Sequence, residues 1–213
     1  MFESCVTLIH NLRFKIKTMK KVFLALALLL VGSTLTFAQH TMDKKSEVEL
    51  TESKVMWTGD KPGGSHNGTI GISDYTINKD GENLSGTFTF DLATIECLDL
   101  EGSWKEKLEG HLKSADFFDV ATYPTATFNL TETVKAGDNY LLIGELTIKE
   151  TTKSVAFPAE IDFDKKTFSL SSEFTIDRTD YGIEYGNESM AAKLKDKIIY
   201  DDIDLKLDFS AKY

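Results

Sequence analysis

Cysteine, histidine, proline and arginine are all scarce in this chain of 213 residues, and each scarcity removes a class of explanation. The two cysteines are Cys5 and Cys97, and the four histidines are His10, His40, His66 and His111, far apart in sequence. Zinc needs three or four ligands brought into register, and no HExxH, Gly-rich phosphate loop or Ser-His-Asp order is present. The formal charge of −10 argues against nucleic acid or an anionic membrane surface as partner. Long apolar runs are missing too. The run Val22–Val31 stands alone, and a helix needs about 20 apolar residues to cross a membrane.

That run is an address rather than an anchor. Lys20 and Lys21 precede it, and Thr36-Phe37-Ala38 ends in a small residue before Gln39. This is the layout of a secretory signal peptide, so residues 1–38 read as signal and 39–213 as one exported domain, periplasmic or secreted, with no membrane span after cleavage. Translation could begin at Met1 or at Met19. Cys5 leaves with the signal, so Cys97 is the lone thiol of the mature chain and a hydrophobic core must hold the domain. Cys97 sits among Ile95, Glu96, Leu98 and Asp99, where acidic neighbours raise a thiol's pKa. It reads as a packing residue at a strand end.

Apolar and polar residues alternate over much of what remains. Val155, Phe157, Ala159, Ile161 and Phe163 fall on one face, and Ile203, Leu205, Leu207 and Phe209 repeat the pattern. Shorter versions run through Phe88-Phe90-Leu92, Ala126-Phe128-Leu130, Phe168-Leu170 and Phe174-Ile176. Such alternation marks strands with one buried face. Eight strands are expected, over 49–58, 67–77, 84–92, 125–133, 139–149, 153–163, 167–176 and 199–211, with turns at Lys79-Asp80-Gly81, 136–139 and 164–166. The chain is therefore all-β. Long antiparallel strands favour a closed eight-stranded barrel over a sandwich. Asp201-Asp202-Ile203-Asp204 lacks the spacing and turn glycine of a calcium loop and reads as an exposed strand face.

Two helices interrupt the strands. Ser103 with Glu106 three residues on forms a capping box, and Trp104, Leu108 and Leu112 make an apolar stripe that places Trp104 in the core. A second, weaker helix is expected over Ser189–Lys195. His111 reads as a capping or packing residue. Phe117 and Phe118 follow the first helix; as neighbours they are expected to diverge, one under the helix and one toward the barrel mouth. Pro124 then forces Tyr123 into an extended conformation.

The string GHLKSADFFDVATYP, Gly110–Pro124, resembles the signature of the YceI-like family of secreted, lipocalin-like proteins. Three further blocks resemble it in order: the Trp57 strand leading into Gly64–Gly68, Gly144–Lys153, and Phe174–Gly186. Glu150 departs from it, standing where family members usually carry glycine, which points to an altered turn. The resemblance implies an extended eight-stranded antiparallel barrel, closed partly by helices, whose apolar channel holds a polyisoprenoid lipid. Candidate ligand contacts are then Trp57, Phe88, Phe90, Phe118, Phe128, Phe157, Ile161, Phe174, Arg178 and Tyr181. Neither a catalytic residue, a metal nor a cofactor is expected, and pairing into a homodimer is left open. A binding module for a fatty acid or its amide is the alternative; an enzyme acting on a bound lipid is the weaker one, because no titratable cluster among the inward positions supplies a base.

Arg178 stands out because every other positive charge after residue 38 is a lysine. A planar fork is selected where a bidentate contact is needed. It either clamps an acid such as Asp116, Asp119 or Asp180, tying the strand to the helix block, or meets a polar lipid headgroup at the barrel mouth. The leader yields the first test: the intact mass of exported protein should correspond to a chain beginning at Gln39, and a mass that retains Val22–Val31 would contradict cleavage.

Overall fold

The computed structural model describes residues 53–80, 83–163, 167–190 and 198–212. The leader, the first residues of the strand expected from 49, Gly81, the turn at 164–166 and most of the helix expected at Ser189–Lys195 lie outside them. The eight strands are β1 (Lys54–Lys61), β2 (Gly64–Asp80), β3 (Asn83–Cys97), β4 (Thr125–Ala136), β5 (Asn139–Ile148), β6 (Thr151–Phe163), β7 (Thr167–Asp177) and β8 (Asp202–Lys212). Each pairs antiparallel with the next, and β8 returns to pair with β1 from Lys54↔Asp208 to Gly59↔Ile203, which closes the barrel. The expected architecture is the observed one.

Strands β2 and β3 outrun their expected ends. Their ladder has two irregularities, between Thr69 and Gly71 and between Ile72 and Asp74. A bulge inserts a residue and breaks the period-2 pattern, so alternation alone stops short of Cys97. Helix α1 (Gly102–Lys113) lies between β3 and β4, and a 3-10 turn (Arg178–Tyr181) follows β7. Glu188–Met190 forms a second short 3-10 turn.

Helix α1 corrects two expectations. Its N-cap is Glu101, with no side-chain hydrogen bond, because the chain enters through Gly102 at φ 57°. That left-handed entry suits glycine, and it places Ser103 inside the first turn, where it forms no capping box. Trp104 is 69% exposed rather than in the core. Steps of four residues overshoot a helical turn, so Trp104 sits about 80° around the helix from Leu112. Leu112 is buried, and Leu108 packs partly buried against the core.

Inward side chains pack against one another through part of the barrel. Phe209 meets Tyr75 at 4.8 Å and Phe88 at 5.2 Å, both edge to face, and Phe168 at 6.0 Å. Leu84, Leu130, Leu142 and Leu170 are almost wholly buried.

The altered turn expected at Glu150 lies one residue earlier. Lys149 and Glu150 form a two-residue hairpin between Ile148 and Thr151, and it is Lys149 that carries the positive φ, 55°. A left-handed L-residue costs roughly 1–2 kcal/mol, while a glycine loses more backbone entropy. Lys149→Gly should therefore stabilise the fold by about 0.5–1 kcal/mol, read from the urea unfolding midpoint.

Candidate ligand-binding cavity

The remainder of the barrel is hollow. A cavity of about 250 Å³ lies under α1 and the first 3-10 turn, its wall built from every strand of the barrel. Apolar side chains form nearly all of it, among them Val55, Ile70, Leu92, Ile95, Leu146, Ile148, Ile176, Leu205 and Leu207. Phe157 and Phe174 stack at 4.0 Å with their planes 6° apart, and Phe128 lies 5.1 Å from Phe157. Ligand sites are concave, largely apolar and carry a few placed polar groups.

Of the ten candidate contacts, Trp57, Phe90, Phe118, Phe128, Phe157, Phe174 and Arg178 line this cavity. Three do not. Phe88 belongs to the filled part of the barrel, packed on Phe209. Ile161 pairs with Leu170 on β7, away from the cavity. Tyr181 is buried at 3% exposure in the 3-10 turn, where burial, helped by the charge of Asp180, pushes its phenol up to about 12.

Phe117 and Phe118 both line the cavity, against the expected divergence. Alternation holds for strands, but residues 115–118 run as tight turns: Phe117 N–H bonds Ser114 and Phe118 N–H bonds Leu112. The two rings sit 5.6 Å apart. Phe117 also packs on His111 of α1 at 5.7 Å, and His111 meets Tyr185 at 4.5 Å.

Trp57 is positioned by a missing side chain. A Cβ on Gly68, its partner in β2, would come within 2.6 Å of Trp57 Cζ2 and would also collide with the Glu96 carbonyl. The indole therefore lies flat over Gly68. Its Nε1 and the Nε2 of His111 are both buried without a hydrogen-bond partner among the described residues.

Arg178 is 1% exposed and holds the same end of the barrel together. Its Nε donates to Tyr200 O (3.2 Å), its Nη1 to Ile183 O (2.7 Å), and its Nη2 to Ile199 O (2.9 Å) and Asp201 Oδ1 (3.1 Å). The acid is thus Asp201, not Asp116, Asp119 or Asp180; Asp180 pairs instead with Lys153 at 3.0 Å. Asp201 is correspondingly not part of an exposed strand face. It lies just before β8, and its carboxylate also accepts the N–H of Glu188. Arg178 and its four acceptors tie the 3-10 turn to residues 183 and 199–201.

A polar chain that the sequence did not announce sits at the rim. Lys61 Nζ lies 2.7 Å from His66 Nε2, and His66 Nδ1 lies 2.7 Å from Asp99 Oδ2. An ammonium only donates, so the partners assign His66 the Nδ1–H tautomer, accepting from Lys61 and donating to Asp99. Asp99 Oδ1 accepts Asn67 N–H at 2.9 Å and Cys97 Sγ at 3.2 Å. Burial alone would raise the Asp99 carboxyl; the hydrogen bonds from Asn67, His66 and Cys97 outweigh it and hold it at about 2. Burial pushes the Cys97 thiol up, in keeping with a packing residue. Lys61 and His66 both reach the cavity lining.

Residues 44–211 match the model of the YceI-like domain. The protein called YceI from Shigella boydii serotype 4 is 30% identical over 148 residues, covering 55% of this chain and 73% of that protein. Among solved structures, BcnA of Burkholderia cenocepacia superposes with a TM-score of 0.64 at 23% identity, covering 78% of this chain and 99% of that one. A domain from Saccharophagus degradans, described as polyisoprenoid-binding and implicated in plant cell wall breakdown, superposes with a TM-score of 0.57 at 12% identity, covering 78% and 96%. At these identities the structures establish the shared fold.

Two tests follow from this geometry. Arg178→Lys should cost about 3 kcal/mol in denaturant unfolding, because it leaves buried carbonyls and Asp201 short of donors. Asp99 has a depressed folded pKa, so its contribution is complete above the ordinary value of 3.8 and lost as pH falls toward about 2. Melting temperature should fall through that window, and less steeply in Asp99→Asn.

Proposed function

The chain belongs to the YceI-like domain family, and from that premise we propose that it is a lipid-binding protein which holds a long apolar chain, a polyisoprenoid or similar lipid, inside its barrel. The observation that carries this reading is the apolar, aromatic-lined cavity of about 250 Å³ inside the barrel. A domain folded only for stability would gain by filling it, since a core cavity forfeits contacts in proportion to its size. Apolar lining selects an apolar ligand, and burial of each methylene contributes about 0.8 kcal/mol. The similarity to the Saccharophagus domain, described as polyisoprenoid-binding, supports the choice of ligand class.

Carriage or scavenging outside the cytoplasm is the role that fits the leader read at residues 1–38. No helix among the described residues is long and apolar enough to cross a membrane. Binding is preferred over catalysis because two of the charged or titratable groups at the cavity, Arg178 and His66, are engaged structurally. Arg178 spends four donors on the protein itself, and His66 is held between Lys61 and Asp99. An acyl- or phosphoryl-transfer site would need a nucleophile beside a free base.

Native mass spectrometry of protein purified from its own host should show an adduct of lipid mass, which lipid extraction would identify. Ala126→Trp offers a cleaner control. Ala126 is buried on β4 and lines the cavity, so an indole there should occupy the ligand's space. Lipid uptake should fall at least tenfold with circular dichroism unchanged. Uptake unaffected by a filled cavity would place the ligand elsewhere and sink the reading.

A further inference from the structure

The cavity is apolar except at one end, and that end holds the two unpartnered nitrogens. Buried polar groups in native proteins are nearly always hydrogen-bonded, because an unpaired one retains its whole desolvation cost. Here two such groups, Trp57 Nε1 and His111 Nε2, belong to residues that line one cavity. Trp57 lies over Gly68, whose ladder partner Cys97 donates its backbone N–H to the carboxylate of Glu109 of α1 at 2.9 Å. His111 is two residues further along the same helix. Both nitrogens therefore belong to the helix-capped end.

Neither side chain is free to turn away. The indole is 92% buried, pressed on the Gly68 backbone, and the imidazole is wedged edge-on between Phe117 and Tyr185. An indole N–H only donates, whereas a neutral imidazole Nε2 donates in one tautomer and accepts in the other. The pair thus suits an oxygen-bearing head: a hydroxyl can accept from Trp57 and donate to His111, and a carbonyl can accept from both. A charged head finds less. Arg178 has four of its five N–H groups committed to Tyr200, Ile183, Ile199 and Asp201, and Lys61, the other cation of the lining, is engaged with His66, so an anion buried against Trp57 and His111 would have to draw a cation out of these contacts.

We propose that Trp57 and His111 form a head pocket at the helix-capped end of the cavity, which selects lipids whose apolar chain ends in an uncharged, hydrogen-bonding oxygen head over phosphorylated or headless chains. The inference rests on the lipid-binding reading above and specifies which lipids that cavity takes.

The chain contains two tryptophans, and Trp104 is exposed, so the indole N–H region of a proton–nitrogen correlation spectrum carries its own reference. Delipidated mature protein would be titrated with geranylgeraniol, geranylgeranyl phosphate and the corresponding headless hydrocarbon. The alcohol should move the Trp57 indole N–H downfield and leave Trp104 in place, and the hydrocarbon should bind without that shift. Trp57→Phe and His111→Phe should each weaken the alcohol roughly three- to tenfold, the range of one net hydrogen bond, with hydrocarbon affinity unchanged as the check on folding. An unmoved Trp57 resonance, equal weakening for the hydrocarbon, or tighter binding of the phosphate would overturn the head pocket. If the hydrocarbon and alcohol bind alike, the head pocket alone falls. If none of the three binds, the lipid-binding reading falls and takes the head pocket with it.

Discussion

Closure of the sheet is the constraint on which everything else in this molecule rests. The pairing of β1 with β8, from Lys54↔Asp208 to Gly59↔Ile203, leaves neither strand as an open edge and turns every second residue of each strand into a lumen residue. Once the sheet is closed, the lumen must be either filled or enclosed. There is no third option for its side chains. The charged residues between the inward ones then form the outside, which explains how so acidic a chain supports one apolar interior.

The lumen is divided by side-chain size. Around Phe209 gather the rings of Tyr75, Phe88 and Phe168, with Leu84 and Leu170 buried in the same core. Toward α1 the walls thin. Gly68 and Gly144 accept the rings of Trp57 and Phe128 flat against their backbones, while Phe157 and Phe174 stack against each other. The rings are drawn to the wall and the centre stays open. The same aromatic residues that would make a solid core thus line a cavity when paired with glycine.

One buried guanidinium keeps that open end in shape. Arg178 spans three backbone carbonyls and Asp201, so the 3-10 turn after β7 and the approach to β8 are held as one piece over the cavity. Its Cζ also lies 5.6 Å from the Phe117 ring, within reach of a cation–π contact with the segment after α1. Helix cap, 3-10 turn and barrel end therefore meet through a charge that is itself out of water. Such a charge is tolerated only because nearly all of its donors are used.

The fold was legible in the sequence because alternation is a local property: a strand with one buried face must write it into every second residue, as β6 and β8 do. The family likeness, read from Gly110–Pro124 and three other blocks, agreed with that pattern. Local rules failed where geometry is set from a distance. The Ser103 capping box gave way to entry through Gly102, and the expected divergence of Phe117 and Phe118 gave way to consecutive turns. Arg178 announced itself by composition, but its acid could not be named, because Asp201 reaches it only after β7 and β8 pair. The Lys61–His66–Asp99 chain carried no sequence signal at all, since its members lie on separate segments that the β1–β2 hairpin and the end of β3 bring together. The sequence by itself determined a barrel with an apolar inside and marked most of the residues that face it. Only the tertiary structure decided which part of that inside is empty and which polar atoms border the space, because a cavity is a property of how side chains from different strands meet.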